Sequence, residues 1–536
     1  MIRVQQARKV IFCAALFVGL TLSVLTTRAD AQVTAFKQAV AESASSDRDI
    51  ADFYRANNFE PLWTGPGDEM RQRRAALFEA IENSRAHGLP VDRYGARGLM
   101  TMLASVKSAR DRGFAEVQLS KTFLQLARDM QTGALVPAKI DSDIKREVPY
   151  RDRTAYLTQF SVSTPRIFFR DLPPDTNEYA RLMKEKLRLE RVMQTGGWGA
   201  RVSAKSLKPG QTGAAVVSLR ERLIAMGYLR RTATSTYDKT IEAAVQRFQQ
   251  THGLEDDGVA GAGTVTEINA SVEDRLKSLV VAMERERWLN TERGSRHVLV
   301  NLTDFSARII DNDRISFMTR AVVGKNQRDR RSPEFSDEME HMIINPTWHV
   351  PRSIAVNEYL PMLKRNPGAA GHLRIVDGRG RTVSRGSVNF RRYSARNFPF
   401  DLKQPPSKRN ALGLVKFIFP NKYNIYLHDT PAKALFEREI RAFSHGCIRL
   451  HQPFEFAYEI LSKQVEDPES FFHSRLKTGS ETKVVLDTKV PVHIIYRTAF
   501  TNPKGQAQFR RDVYGRDAKI WNALSRAGVS LDAVRS

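Results

Sequence analysis

Apolar residues in the first two hundred positions recur at three- and four-residue spacing. The runs over 71–85 and 118–130 carry that period most clearly and predict amphipathic helices. His87-Gly88-Leu89-Pro90 marks the stop of the first, with glycine as cap and proline beyond it. An aromatic-rich stretch over 52–63 punctuates this region, and nothing in it has catalytic spacing. Its Arg and Lys read as solvated helix faces. Residues 206–269 form a separate pattern of three short helices, at 216–223, 241–250 and 263–269, with turns at Gly253-Leu254 and Asp257-Gly258. From about 295 the character changes to short runs rich in Val, Ile and other apolar residues. Strands are predicted over 297–302, 307–311, 319–323, 341–345, 414–419, 423–428, 483–487 and 492–496. A Gly-, Pro- and Arg-rich stretch over about 351–410 interrupts them. It is too long for a plain connection and reads as a lid or binding loop. The end of the chain is basic and turn-rich, with one short helix over 518–527. The fold class is multidomain α+β. A helical scaffold spans 32–205, a three-helix unit 206–270, and a mostly β domain with a capping segment 271–536.

The first 31 residues change the compartment. Arg3, Arg8 and Lys9 precede an apolar run of 16 residues over 10–25, and Ala29-Asp30-Ala31 follows. Positive, apolar, then small-x-small is the order of a cleavable secretory signal. The alternative is an uncleaved inner-membrane anchor, although a span usually takes about 20 apolar residues. The expected location is the periplasm. At 536 residues the chain holds three or four domains. With 41% hydrophobic and 27% charged residues it is neither disordered nor a polytopic membrane protein. The net charge of +25 calls for an anionic partner or surroundings. Nucleic acid, lipid and wall polymer all qualify on charge, and export excludes nucleic acid. Of the two cysteines, Cys13 lies in the signal, so the exported chain keeps Cys447 alone and forms no internal disulfide.

The remaining thiol has informative neighbours. It sits in Ser444-His445-Gly446-Cys447-Ile448-Arg449-Leu450, and His428 lies 19 residues upstream. A thiol needs a base or a positive field to become nucleophilic near neutral pH, and histidine is the natural base. Strand alternation puts Tyr426 and His428 on one face. A helix-like return over 431–442 would bring Cys447 toward them. Gly446 lets the backbone approach a substrate, and the amides around Cys447 are candidates for holding an oxyanion. The rival is a metal site made of His428, His445, Cys447 and His451. Cys-x3-His spacing suits zinc, but no Cys-x2-Cys or His-Glu-x-x-His accompanies it. A wall binder with a dead catalytic domain is the third class, and it is expected to lack Cys or His, which are both present. His87, His252, His341, His349 and His372 read as structural or surface residues. Trp63, Trp198, Trp288 and Trp521 read as packing, and Trp348 falls nearer the expected groove.

Two resemblances add to this. Residues 206–269 resemble the small three-helix peptidoglycan-binding module through the helix ending in Gly227-Tyr228-Leu229, then Tyr237-Asp238, then the run AVQRFQQTHGLEDDGVAGAGT. That implies binding of wall glycan or stem peptide. The segment around Cys447 resembles the L,D-transpeptidases with the YkuD-type catalytic domain. Their pattern is a His, about 15 residues, then Ser/Thr-His-Gly-Cys, matched here by His428 and Ser444-His445-Gly446-Cys447. Asn410-Ala411-Leu412-Gly413, Phe419-Pro420-Asn421 and Ile344-Asn345-Pro346-Thr347-Trp348 look like the large Gram-negative branch. Many members have Asn two residues after the Cys, and this chain has Arg449, which the large branch tends to carry. The resemblance implies Cys447 as nucleophile, His428 as base, and the Asp429 backbone carbonyl orienting the imidazole. Tyr426 would lie near the thiol, while Gly446 carries over as part of the catalytic motif. His445, Arg449, Ser444 and Trp348 would form the substrate pocket, with Arg449 on a carboxylate. The implied reaction joins peptidoglycan stems in a 3–3 crosslink through a thioester, releasing D-alanine, without metal or other cofactor. Water or an outer-membrane lipoprotein as acceptor, and activating wall-synthesis proteins as partners, belong to the same implication, as does acylation by carbapenems.

Overall fold

The computed structural model describes residues 34–531, and the secretory signal read over 1–31 lies outside the described residues. Helix Asp68–Asn83 realises the first periodic run, and the second lies inside the longer helix Ala109–Thr132. Ser108 and Asp111 start that longer helix as a reciprocal capping box. Buried Glu116 on it accepts hydrogen bonds from the amides of Leu62, Trp63 and Thr64 and from the Tyr54 hydroxyl. This one carboxylate satisfies the backbone of the aromatic-rich stretch, which is why a loop can be buried there. Trp63, Phe123, Phe160, Phe168 and Phe169 form the aromatic centre of the scaffold core.

Two helices read as part of the catalytic unit pack into this core as well. Val272–Trp288 contributes Val280, Val281 and Trp288, and Arg516–Arg526 contributes Ile520 and Leu524. The catalytic segment thus grips the scaffold at both of its ends. Between them runs a seam of buried ions. Arg285 meets Glu334 at 2.6 Å and Asp517 at 3.1 Å, and Arg516 meets Glu334 at 3.1 Å. Arg287 pairs with Glu284 at 2.7 Å, and Arg293 with Glu286 at 2.7 Å.

The three-helix unit comprises Ala214–Ala225, Lys239–His252 and Ala262–Ile268 around its own core. It is docked firmly. His252 stacks between Phe248 and Phe509, Arg510 donates to the Thr251 carbonyl at 2.9 Å, and Arg511 pairs with Glu267 at 3.3 Å.

The β domain begins with β1 (Arg296–Asn301), β2 (Ser306–Asp311), β3 (Arg314–Gly324) and β4 (Phe335–Ile344). The capping segment follows with β5 (Trp348–His349), β6 (Arg374–Val376), β7 (Thr382–Val383) and β8 (Asp401–Gln404). Then come β9 (Val415–Ile418), β10 (Leu427–His428), β11 (Ala442–Ser444), β12 (Ile448–Leu450) and β13 (Thr482–Ile495). A short pair, β14 (Ala499–Thr501) and β15 (Ala507–Phe509), leads to the last helix. The main sheet runs β11-β3-β12-β10-β9-β4-β13-β1-β2, and β2 pairs back with β3. That last pairing closes the strands into a ring filled by alternate residues such as Val300, Ile309, Phe417, Leu427 and Ile448. The capping segment has a separate four-stranded sheet, β5-β8-β6-β7, and a core of its own.

Three expected elements differ. The strand expected over 423–428 is only β10, because Asn421 caps a turn there: its side chain bonds Tyr423 N, Ile425 N and Ile425 O, and Asn424 has φ +55°. The helix-like return over 431–442 is a 3-10 turn, Lys433–Glu437, followed by β11. Phe436 alone is fully buried there and Ile440 is exposed, so no apolar stripe holds a helix. The two strands expected over 483–496 are one strand, β13, with an irregular register between Val485 and Val490.

Candidate active site

Register brings the chemistry together. β10 and β12 run parallel, with His428 opposite Arg449 and Ile448 N bonded to Tyr426 O at 3.1 Å. On the other side, His428 lies opposite Lys416 of β9. Leu427, Ile448 and Phe417 point into the core, so alternation sends Tyr426, His428, Cys447, Arg449 and Lys416 to the outer face. The aromatic rings of Tyr426 and His428 meet edge to face at 5.6 Å. Tyr426 also packs on the capping-segment core, so the phenol stands between cap and thiol.

The nucleophile loop is fixed by its own polar groups. Ser444 Oγ donates to Cys447 O at 2.5 Å and accepts from Gly446 N at 3.1 Å. Ser332 Oγ donates to Gly446 O at 2.6 Å and accepts from Gly324 N at 3.0 Å. Arg516 of the seam holds Ser332 through its carbonyl at 2.9 Å. Gly446 has φ +115°, a conformation open to glycine and strained for other residues. The Cys447 thiol is half-buried and donates to Asn424 O at 3.4 Å.

The base is oriented by main chain. His428 Nδ1 donates to the Asp429 carbonyl at 2.5 Å. The Asp429 carboxylate is used elsewhere, accepting from Leu414 N, Thr430 N and Lys433 Nζ. Gly413 makes room for it, since a Cβ there would fall 2.2 Å from Asp429 Oδ2.

Burial governs the electrostatics. It lowers the His428 imidazole to about 3, with the Arg449 charge acting in the same direction. It raises the Cys447 thiol to about 11, against the pull of Tyr426, Arg449 and Lys416. At rest the thiol and the imidazole of this face are both neutral. Burial also lowers Arg449 and Lys416. Arg449 makes no ion pair among the described residues, and its Nε is buried without a partner. An unpaired, desolvated guanidinium beside a nucleophile is a ready site for an anionic group.

Six of the sequence-derived residues therefore converge: Cys447, His428, Tyr426, Gly446, Arg449 and the Asp429 carbonyl. The others lie differently. Ser444 is 1% exposed and its hydroxyl is spent on the loop, so it shapes the nucleophile turn and does not face substrate. The Gly446 amide is likewise spent on Ser444, which removes it from the oxyanion donors. Trp348 is buried in the cap core against Tyr359 and does not line the groove. His445 reaches the cap, where its Nε2 meets Glu358 Oε1 at 2.6 Å, and Arg330 meets the same oxygen at 2.8 Å. His451 packs on Phe436, and no three His, Cys, Asp or Glu converge as a metal cage among the described residues. Sequence reasoning missed Lys416, Glu358 and Ser332. The Val415-Lys416-Phe417 alternation is the signal that could have found Lys416, but nothing in sequence says that β9 adjoins β10.

Family models match three stretches of the chain. Residues 295–492 match the model of the L,D-transpeptidase catalytic domain, YkuD. Residues 212–268 match a "Putative peptidoglycan binding domain", and residues 48–185 match the scaffold domain. A Haemophilus influenzae protein described as "Putative L,D-transpeptidase" is 29% identical over 225 residues, 42% of this chain and 45% of the relative's length. The chain thus spans about half the length of that curated relative. A solved L,D-transpeptidase structure from Xylanimonas cellulosilytica covers 55% of this chain and 98% of its own, at 14% identity and a TM-score of 0.17.

Proposed function

We propose that this chain, which carries a YkuD-type L,D-transpeptidase catalytic domain, forms 3–3 peptidoglycan crosslinks in the periplasm through a thioester on Cys447. One observation carries the reading: the outer face shared by Cys447, His428, Tyr426 and Arg449, set by the β10–β12 register. The Cys447 sulfur attacks the carbonyl of the third residue of a tetrapeptide stem. Its proton passes to the His428 nitrogen opposite the Asp429 bond. The Cys447 amide and the Tyr426 hydroxyl serve the developing oxyanion, since the Gly446 amide is occupied. Collapse breaks the peptide bond, and the departing D-alanine amine takes the proton from His428. The amine of a second stem then attacks the thioester, His428 accepts its proton, and the thiol is restored. Arg449 receives a donor carboxylate.

A neutral thiol raised to about 11 fits this order. Attack coupled to proton transfer needs no resting thiolate, and a dry site limits hydrolysis of the thioester. The docked peptidoglycan-binding module supplies wall material close by. Water as acceptor gives carboxypeptidase activity from the same intermediate, and a lipoprotein lysine gives protein anchoring.

The test is incubation of residues 32–536 with disaccharide-tetrapeptide, followed by mass analysis, beside Cys447→Ala. Dimers lacking one D-alanine, absent with the variant, are expected. Tripeptide monomer alone moves the activity to carboxypeptidase. Unchanged substrate with both proteins overturns the reading.

A further inference from the structure

A cavity of about 1780 Å³ has no Cys447 in its lining. It lies between the scaffold and the outer face of β1, β2 and β3. Its floor is aliphatic, made by Leu299, Ile310, Ile315 and Met318, the last two 42% and 55% exposed. Its walls are cationic, with nine arginines against six carboxylates. Six of the nine arginines pair with carboxylates, and Arg151, Arg181 and Arg441 make no ion pair among the described residues. Arg181 on the scaffold wall donates only to Asn502 O. Arg441 donates to the carbonyls of Ala321, Arg438, Asp304 and Phe305 and makes no ion pair among the described residues. Arg308 pairs with Asp304 yet keeps a buried Nε without a partner.

Two parts of the lining are informative. Arg510 lines the cleft and also holds the wall-binding module at Thr251 O. Arg320 and His451, 3.4 Å apart, line it as well. His451 follows Cys447 by four residues, which is about 13 Å of extended chain at about 3.3 Å per residue. An extended tetrapeptide spans about the same distance. The Lys433–Glu437 turn, tied to Arg320 through Glu437, forms the rim between cleft and thiol.

We infer that this cleft is a docking track for a second peptidoglycan strand, held by its stem carboxylates on the arginine walls and by its sugars on the aliphatic floor. The inference rests on the function proposed above. The track runs from the module to within one stem's reach of the thiol, so a bound strand presents its stems to the thioester as acceptors. A concave, arginine-walled channel suits a carboxylate-bearing glycopeptide better than a bilayer surface, which needs a projecting apolar face.

The test uses the full chain with Cys447→Ala, so that binding is read without chemistry. The probe is a fluorescent strand of four disaccharides bearing tetrapeptide stems. Adding Arg181→Glu with Met318→Glu is expected to weaken strand binding at least 10-fold with melting unchanged. Amidating the stem carboxylates is expected to weaken binding to the parent similarly. Affinities within twofold of the parent in the double variant overturn the proposal and leave the cleft to a protein partner. Acylation by disaccharide-tetrapeptide is followed separately on the chain that keeps Cys447, so failure of the catalytic reading is seen apart from failure of strand binding.

Discussion

The seam and the thiol groove lie on either side of one short link, Arg516 to Ser332 to Gly446, yet they treat charge in opposite ways. In the seam each arginine has a carboxylate: Arg285 and Arg516 on Glu334, Arg287 on Glu284, Arg293 on Glu286. In the groove Arg449 is part-buried and has none among the described residues. Burying an ion is costly, so an opposite charge on each arginine is what a structural joint requires. A cation left unpaired is a cost the fold alone does not explain. The contrast assigns the seam to holding the nucleophile loop and the groove to receiving an anion from outside.

The largest effect is expected at the seam. Glu334→Ala leaves Arg285 with Asp517 alone and deprives Arg516 of its nearest carboxylate, both deep inside. Breaking a buried pair in this way costs about 3–5 kcal/mol. Denaturant unfolding should show the loss, with a sharp drop in soluble protein. A change under about 1 kcal/mol would mean that the seam is not what joins scaffold to catalytic domain.

Gly446→Ala comes next. An alanine at φ +115° costs about 1–3 kcal/mol, and its Cβ would meet Ile425 Cδ1 at 3.2 Å. The loop must relax by moving Cys447, so acylation is expected to fall at least 10-fold while the chain still folds. Intact-mass kinetics against a melting curve separates the two.

Arg449→Met sharpens the comparison from the groove side. Removing an unpaired, part-buried cation while keeping apolar volume should leave stability unchanged or raise it. Donor KM should rise about 10-fold with a smaller change in kcat, because the lost contact is to a carboxylate remote from the reacting carbonyl. Destabilisation like that of Glu334→Ala would show that Arg449 has a structural role.

Much of this was legible in the sequence, and the reasons are physical. Period 3.6 against period 2 separated the helical bodies from the β domain, because one buried face imposes each period. The His428–Cys447 spacing survived as geometry because β10 and β12 are neighbours joined by one return. What sequence could not show was long-range pairing. Lys416 became a site residue only through the β9–β10 register, and Ser332 only through a contact across 114 positions to Gly446. Ser444 and Trp348 sat in the right stretch of chain but turned inward. The return over 431–442 misled because its composition suits a helix while its setting offers one buried position, Phe436.

The smallest effect expected is in the pH profile, and it bears on whether the groove is as dry as the seam. An exposed histidine titrates near 6.5, and a base of that kind would halve the acylation rate there. In this groove burial and Arg449 lower His428 to about 3, and burial raises Cys447 to about 11. The imidazole is able to accept a proton at every pH above its lowered value and loses that ability only as pH falls toward about 3. The thiol keeps its proton until pH climbs toward about 11. Acylation of Cys447, followed by intact mass, should therefore vary less than about twofold between pH 5 and 8. The same tenets give the sign for stability. The unfolded imidazole binds a proton below about 6.5 and the folded one does not, so this residue costs stability as pH falls from 6.5 toward 3. His428→Gln should flatten that part of the acid unfolding curve. An inflection in the acylation rate near 6.5 would instead show a solvated imidazole, and the groove would then owe its unpaired Arg449 to water and not to substrate.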